Sequence, residues 1–155
     1  MLHLVKLNRY NKLGSKKLAL FRTFAFESTC QPKEIEIERI IKIVNDHPFP
    51  DHLLYPTLLQ HIPPSVLSTP LVKNVLNRLF AAHSNGLKAF EFFKFSLQHS
   101  YFRPSSDAFE KTLHILARMR YFDKAWELME EIQRTHPSLL TLKSMSILLS
   151  RIAKF

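Results

Sequence analysis

The chain has 155 residues and a formal net charge of +9 at pH 7, and 46% of its residues are hydrophobic. This length predicts a single domain. Only two glycines are present, too few for a β-rich fold with tight turns, so the composition favours helices. The lone cysteine, Cys30, excludes an internal disulfide and a cysteine-based zinc site. No apolar stretch reaches the about 20 residues that a membrane-spanning helix needs.

Residues 1–24 are predicted to be a disordered leader that acts as a mitochondrial targeting presequence, with a plastid transit peptide as the alternative. Residues 1–26 contain six basic residues and no acidic one. The sequence Arg22-Thr23-Phe24-Ala25 predicts cleavage after Phe24. A basic tail that binds RNA or anionic lipid is the other interpretation. The rest of the chain has 16 basic and 13 acidic residues, so its charge is no evidence for nucleic-acid binding.

Residues 25–69 are predicted to form a linker and a helical cap. Apolar residues recur three and four apart between Ile37 and Val44, which predicts a helix over residues 33–47. Prolines follow His47 and end this helix. Asp51 is the expected N-cap of a short second helix. The apolar residues of that helix are Leu53, Leu54, Leu58 and Leu59.

Residues 70–105 are predicted to form a first helix pair. Thr69 is the expected N-cap, and Pro70 takes the first helical position. Asn85 and Gly86 are expected to form the turn between the two helices, with Gly86 at a positive φ. The second helix is rich in phenylalanine. We expect these rings to lie in the core, and a stacking surface for nucleic-acid bases is the alternative.

Residues 106–141 are predicted to form a second pair, with a tight turn at residues 119–122. Trp126 belongs to the apolar stripe of its second helix, and Pro137 ends that helix. Residues 142–155 are predicted to be one helix without a partner. Its expected apolar face is Met145, Leu148, Leu149 and Ile152. Because a stripe without its partner helix stays exposed, we expect a truncated product of a longer protein, or a protein partner that covers it.

The helix pairs repeat at an offset of 36 residues. Leu116-Ala117 corresponds to Phe80-Ala81 and to Ile152-Ala153, and Ala125 corresponds to Ala89. Such a period predicts an all-α fold, an α-solenoid of about two and a half repeats behind an N-terminal helical cap. The cap is expected to be an atypical repeat, because one of its faces meets water.

Residues at fixed places in the second pair resemble the pentatricopeptide repeat, as in the N-terminal portion of plant mitochondrial P-class proteins. The matching positions are Phe109-Glu110, Leu113, Leu116, Arg118, Asp123, Ala125 and Glu130-Glu131-Ile132. The resemblance implies a protein that binds single-stranded RNA at roughly one base per repeat. It also implies a role in organellar RNA processing, stability or expression.

The resemblance also implies which residues contact the RNA. The base-reading candidates are Asn74 with Ser105, Glu110 with Thr141, and Ser146; the backbone candidates are Arg118 and Lys154. Glu110, Asp107 and Lys73 depart from the family pattern. A carboxylate at Glu110 repels phosphate, so its repeat is expected to read a base poorly. So few repeats are expected to bind RNA weakly.

The sequence predicts neither an enzyme nor a cofactor. It contains no phosphate-binding glycine loop, no zinc-protease motif and no pair of histidines at ligand spacing on one helix. No membrane association of the folded part is expected. Two alternatives to RNA binding remain open: a protein-interaction scaffold of the tetratricopeptide type, and a structural subunit of an organellar complex. RNA binding predicts basic residues on the first-helix face around Lys73, Arg118 and Lys154.

Overall fold

The computed structural model describes residues 31–154, and the predicted presequence with its cleavage site lies outside them. The chain divides into two compact units, Met1–Glu36 and Ile37–Phe155. Of the first unit, residues 31–36 are described, and they are helical. The regular elements of the described range are all helical, which confirms the predicted all-α fold.

Seven α-helices and two short 3-10 turns make up the described part of the chain. The helices are α1 (Gln31–Asp46), α2 (Leu54–His61), α3 (Thr69–Ala81), α4 (Gly86–Leu97), α5 (Ser106–Arg118), α6 (Phe122–Thr135) and α7 (Leu142–Ile152). The 3-10 turns are Pro64–Val66 and Pro137–Leu139. In the second unit α3 pairs with α4 and α5 pairs with α6, as a helical-repeat solenoid requires.

The two cap helices form as predicted, but α2 begins later than the expected N-cap allows. Its N-cap residue is Leu53, which makes no side-chain cap hydrogen bond, so the prediction for Asp51 was wrong. The reason is a separate turn before the helix, in which His52 N donates to Pro48 O at 3.0 Å. Of the predicted apolar residues, Leu54 and Leu58 are buried, whereas Leu53 and Leu59 are exposed.

Helix α3 begins one residue earlier than the sequence suggested. Ser68 is the N-cap residue, and the prediction that Thr69 has this role was wrong. The Thr69 hydroxyl instead donates to Arg103 O at 2.8 Å and accepts from Arg103 N at 3.3 Å. This side chain therefore joins the start of the first helix pair to the segment that follows its second helix.

Gly86 packs closely against Met119 and Ile115 and does not have a positive φ, contrary to the prediction. The positive φ values of the interhelical turns belong to His83 and Arg120, and Gly86 is the first residue of α4. A Cβ on Gly86 would lie 3.0 Å from Met119 Sδ and 3.4 Å from Ile115 Cγ2. Asn85 is the N-cap of α4 and accepts a hydrogen bond from Leu87 N at 2.9 Å.

The repeat offset differs between first and second helices. The second helices begin at Gly86 and Phe122, which keeps the predicted offset of 36, whereas the first helices begin at Thr69 and Ser106, 37 residues apart. Buried positions agree with the longer offset: Leu71, Val72, Val75, Leu76 and Leu79 match Ala108, Phe109, Thr112, Leu113 and Leu116. The turn between α3 and α4 is one residue longer than the turn between α5 and α6.

Helix α5 is at the centre of the core and packs against α3, α4, α6 and α7. The largest buried side chains are phenylalanines of α4 and α5, namely Phe90, Phe92, Phe93, Phe95 and Phe109. Helix α2 covers α4, with the Tyr55 ring edge-on to Phe95 at a centroid distance of 5.6 Å. The aromatic residues of α4 are therefore core residues, since buried rings cannot stack on bases.

Two predicted apolar stripes divide into a buried and an exposed part. On α7, Ile147 and Leu148 are buried, while the predicted face residues Met145, Leu149 and Ile152 remain exposed. The cause is that α7 packs mainly on α5, which covers one side of the helix. On α6, Trp126 is 55% exposed although it was placed in the apolar stripe.

Candidate nucleic-acid interface

The first helices α3, α5 and α7 pack side by side, α5 between the other two. Their polar faces form a cleft of about 250 Å³. The residues lining it are Lys73 and Asn77 of α3, Asp107, Glu110, Lys111 and His114 of α5, and Lys143 of α7. Within α5 the four lining residues have the spacing i, i+3, i+4 and i+7, so they share one helical face. One continuous polar surface therefore crosses three successive first helices.

Two ion pairs connect α5 to its neighbours across this cleft. Lys73 Nζ lies 2.5 Å from Asp107 Oδ2, and the hydrogen bond from Lys73 holds the pKa of Asp107 below its usual value. Lys143 pairs with Glu110, whose hydrogen bond raises the pKa of Lys143. Each pair places opposite charges on adjacent helices of the cleft. Lys73, Asp107 and Glu110, which depart from the family pattern, therefore join these helices to each other.

Glu110 and Thr141, the predicted base-reading pair of the second repeat, are brought together. Thr141 Oγ1 donates to Glu110 Oε1 at 3.4 Å, and Glu110 is buried with 6% exposure. Thr141 also caps α7, because its hydroxyl accepts from Ser144 N at 3.2 Å. Both side chains thus have intramolecular partners, and their role in base reading stays a prediction.

The other base-reading candidates have different surroundings. Asn74 on α3 and Ser146 on α7 are exposed to solvent. Ser105 is the N-cap of α5 and accepts from Ala108 N at 3.3 Å. At the structural offset between α3 and α5, Lys73 and not Asn74 corresponds to Glu110.

Arg118, a predicted backbone contact, connects α5 to α3. Its Nη1 donates to Phe80 O at 2.8 Å, and its guanidinium lies 4.2 Å from the centroid of the Phe80 ring. The Nη2 atom is buried and has no hydrogen-bond partner in the described part of the chain. Lys154, the other candidate, is exposed after the end of α7. RNA contact by either residue stays a prediction, and for Arg118 the structure shows a role in packing.

Four polar residues of the cleft were not proposed as site residues from the sequence: Asn77, Lys111, His114 and Lys143. Lys111 Nζ lies 4.6 Å from the Phe80 ring centroid. The pKa of His114 is lowered, mainly by burial and further by the positive charges of Lys111 and Arg151. The spacing of Lys111 and His114 relative to Glu110 could have indicated them. Asn77 needed the packing of α3 on α5.

Between residues 31 and 154, no group of three or more histidine, cysteine or carboxylate side chains is placed to hold a metal ion. Over the same range, none of the helices has the length and apolar character needed to cross a membrane.

Comparison with known proteins identifies the family. A pentatricopeptide repeat-containing protein of Arabidopsis thaliana is 66% identical over 120 residues, which cover 77% of this chain. The chain belongs to the pentatricopeptide repeat family. A second Arabidopsis thaliana protein with pentatricopeptide repeats in its name is 36% identical over 88 residues, 57% of this pentatricopeptide repeat chain. No family model and no solved structure matches the chain.

This pentatricopeptide repeat chain spans a minor part of these relatives. The matched segments are 24% of the length of the first relative and 18% of the second. In the described range α3 pairs with α4 and α5 pairs with α6, and α7 follows them; the division into two complete repeats and the first helix of a third stays a prediction. The polar cleft lies on α3, α5 and α7, the predicted first helices.

Proposed function

We propose that this pentatricopeptide repeat protein binds single-stranded RNA along the polar face of its first helices. The observation that supports this most directly is the cleft that crosses α3, α5 and α7, lined by three lysines, an asparagine and a histidine. Lysines neutralise phosphates, and amide and imidazole groups form hydrogen bonds with RNA. A surface continued from repeat to repeat suits an extended strand better than a compact ligand.

The electrostatics of the cleft predict weak and salt-dependent binding. Asp107 and Glu110 each neutralise one lysine of the cleft, so the local positive charge is small. Two and a half repeats also supply few contacts, and specific affinity needs many base and phosphate contacts together. We expect dissociation constants at the weak end, on the order of 10⁻⁴–10⁻⁶ M at physiological salt, as for non-specific binding.

Comparison of single-stranded and duplex RNA of the same sequence tests the proposal. The chain should bind the single strand more tightly, and the affinity should fall as salt rises. Because residues 1–26 hold six basic residues, the same titration with residues 25–155 separates the cleft from the leader. Equal affinity for single strand and duplex would contradict the proposal. Loss of all RNA binding when the leader is removed would also contradict it.

We further propose a mitochondrial location, with the plastid as the alternative. The support is the basic, acid-free composition of residues 1–26. A fusion of residues 1–24 to a fluorescent protein should enter mitochondria, and the mature protein should begin at Ala25. There the protein would act in RNA processing, stability or expression by binding and without catalysing a reaction. Recovery of the organellar protein with Met1 intact would refute the cleavage prediction.

A protein-interaction scaffold is the second candidate, and a groove beside α7 favours it. The groove measures about 470 Å³, and its apolar lining includes Trp126, Met129, Leu140, Leu142 and Met145. Trp126 is 55% and Leu142 is 91% exposed, and exposed apolar side chains of this size are typical of contact surfaces. Crosslinking from a photoreactive residue at position 142 in organelle extracts tests this function. Recovery of crosslinks to RNA alone would contradict it.

A further inference from the structure

Three hydrogen-bond donors of the cleft have no hydrogen bond or ion pair with the described part of the chain. They are Asn77 of α3 and Lys111 and His114 of α5. By contrast, Lys73 and Lys143 in the same cleft are both paired with carboxylates. The unpaired donors are therefore the groups of this surface that can donate to a ligand without first breaking a hydrogen bond or an ion pair, although Lys111 and His114 both contact the Phe80 ring.

Lys111 carries the positive charge of this set. Its ammonium group lies 4.6 Å from the Phe80 ring centroid, so the aromatic ring restrains it without neutralising it. In the two neighbouring ion pairs, Lys73–Asp107 and Lys143–Glu110, the positive and negative charges neutralise each other. The cleft thus presents one positive charge, at Lys111, to a negatively charged group.

Two neutral donors share the cleft with this charge. His114 has a pKa lowered by burial and by Lys111, so it is neutral at pH 7 and donates through one ring N–H. Asn77 donates through its side-chain amide. Asn77 and His114 occupy the same place in successive repeats, since α3 and α5 begin at Thr69 and Ser106. This repetition places a neutral donor on each of two adjacent first helices.

We infer that Lys111, Asn77 and His114 together form a contact site for a phosphodiester of single-stranded RNA. A phosphate oxygen accepts from an ammonium group with charge assistance and from neutral N–H donors on either side. The inference rests on the proposed RNA binding and specifies where the backbone is held. It assigns the contact to Lys111, whereas the family resemblance implied Arg118 and Lys154. Unlike Lys111, Arg118 donates a hydrogen bond to Phe80 O, and Lys154 does not line the cleft.

The salt dependence of RNA affinity tests the site. Full-length chain with Lys111→Gln is titrated with a labelled single-stranded RNA across a salt series. Its plot of log affinity against log salt should be shallower than that of the wild type by about 0.7, the value of one phosphate contact to a single strand. Lys124→Gln is the matched control, because Lys124 lies on α6 and pairs with Glu127 at 2.8 Å. That variant should keep the wild-type slope.

Asn77→Ala separates a neutral donor from a charge. It should weaken binding several-fold and leave the salt slope unchanged, since it removes a hydrogen bond and no charge. Thermal unfolding of each variant, which should match the wild type, shows that the fold is intact. Should a variant fail to fold, the wild type in an NMR titration with the same RNA replaces it. The amide signals of residues 77, 111 and 114 should then be among those that shift.

Each result decides between the inference and the proposed function. RNA binding with an unchanged slope in Lys111→Gln, or without shifts at these amides, would overturn the phosphodiester site and leave RNA binding intact. Absence of RNA binding by the wild-type chain would overturn both. Inorganic phosphate at matched ionic strength is the remaining probe. If it shifts the same amides at the same concentration as RNA phosphate, the site binds free phosphate and the RNA assignment is wrong.

Discussion

Phe90 and Trp126 occupy the same place in successive second helices, yet their surroundings differ. Helix α4 begins at Gly86 and α6 at Phe122, so the two aromatic residues correspond at the same offset of 36. Phe90 is 1% exposed and Trp126 is 55% exposed. Helices α5 and α6 follow α4 in the described structure, whereas α6 is followed by α7 alone. Truncation of these two side chains should therefore destabilise the protein to different extents.

The magnitudes follow from the covered surface. Phe90→Ala removes a fully buried ring and leaves a cavity, which costs about 3–5 kcal/mol. For Trp126 less than half of the surface is covered, on the order of 100 Å², and at about 25 cal/mol per Å² this contributes at most about 2.5 kcal/mol. No cavity remains there, because the groove is open to solvent. Trp126→Ala should thus cost less than Phe90→Ala.

Urea unfolding followed by far-ultraviolet circular dichroism measures both free energies without depending on tryptophan fluorescence. The two variants and the wild type are compared at low and high protein concentration, because self-association through the groove would raise the apparent stability of the wild type. A cost for Trp126→Ala equal to that for Phe90→Ala would refute the reasoning. It would show that Trp126 is covered in solution.

Three further predictions concern a cap, a close contact and a titration. Ser105→Ala should cost about 1 kcal/mol in urea unfolding because Ser105 caps α5, whereas Ser68→Ala should change little because Ser68 makes no cap hydrogen bond. Gly86→Ala should destabilise by about 1–3 kcal/mol through contact with Met119 Sδ, and less in a Met119→Ala background; equal costs in the two backgrounds would contradict the contact. The pKa of His114 is lowered in the folded state, so the unfolded chain binds the proton first as pH falls below about 6.5. Stability should therefore decline from pH 7 towards pH 5, and His114→Gln should reduce that decline. An identical pH profile of stability for this variant and the wild type would rule out a contribution from His114.

The candidate interface could be predicted from the sequence only in part. The resemblance indicated that first helices carry the RNA-binding face, and the cleft does lie on α3, α5 and α7. It paired Glu110 with Thr141 but could not indicate that Glu110 also forms an ion pair with Lys143. Lys143 belongs to the next predicted repeat, more than 30 residues away in the chain. A repeat pattern describes each position within its own unit and does not contain contacts between units.

Asn77 shows the same limit for a neutral residue. Its sequence neighbours give no reason to select it, and its importance comes from the packing of α3 on α5, which places it in the same cleft as His114. The sequence-based offset also aligned Asn74 with Glu110, because one additional residue in the turn after α3 is not visible in the apolar periodicity. The offset between helix starts gives Lys73 that place.

The sequence by itself determined the helices and the family. Apolar spacing predicted every α-helix of the described range to within a few residues, because amphipathic periodicity is a local property of the chain. Tertiary structure alone decided that Thr69 bonds to Arg103, that Gly86 leaves room for Met119, and that Arg118 packs on Phe80. These contacts depend on turn lengths and on the register between helices. A shift of one residue rotates a helical face by about 100°, so small differences in a turn change which side chains meet.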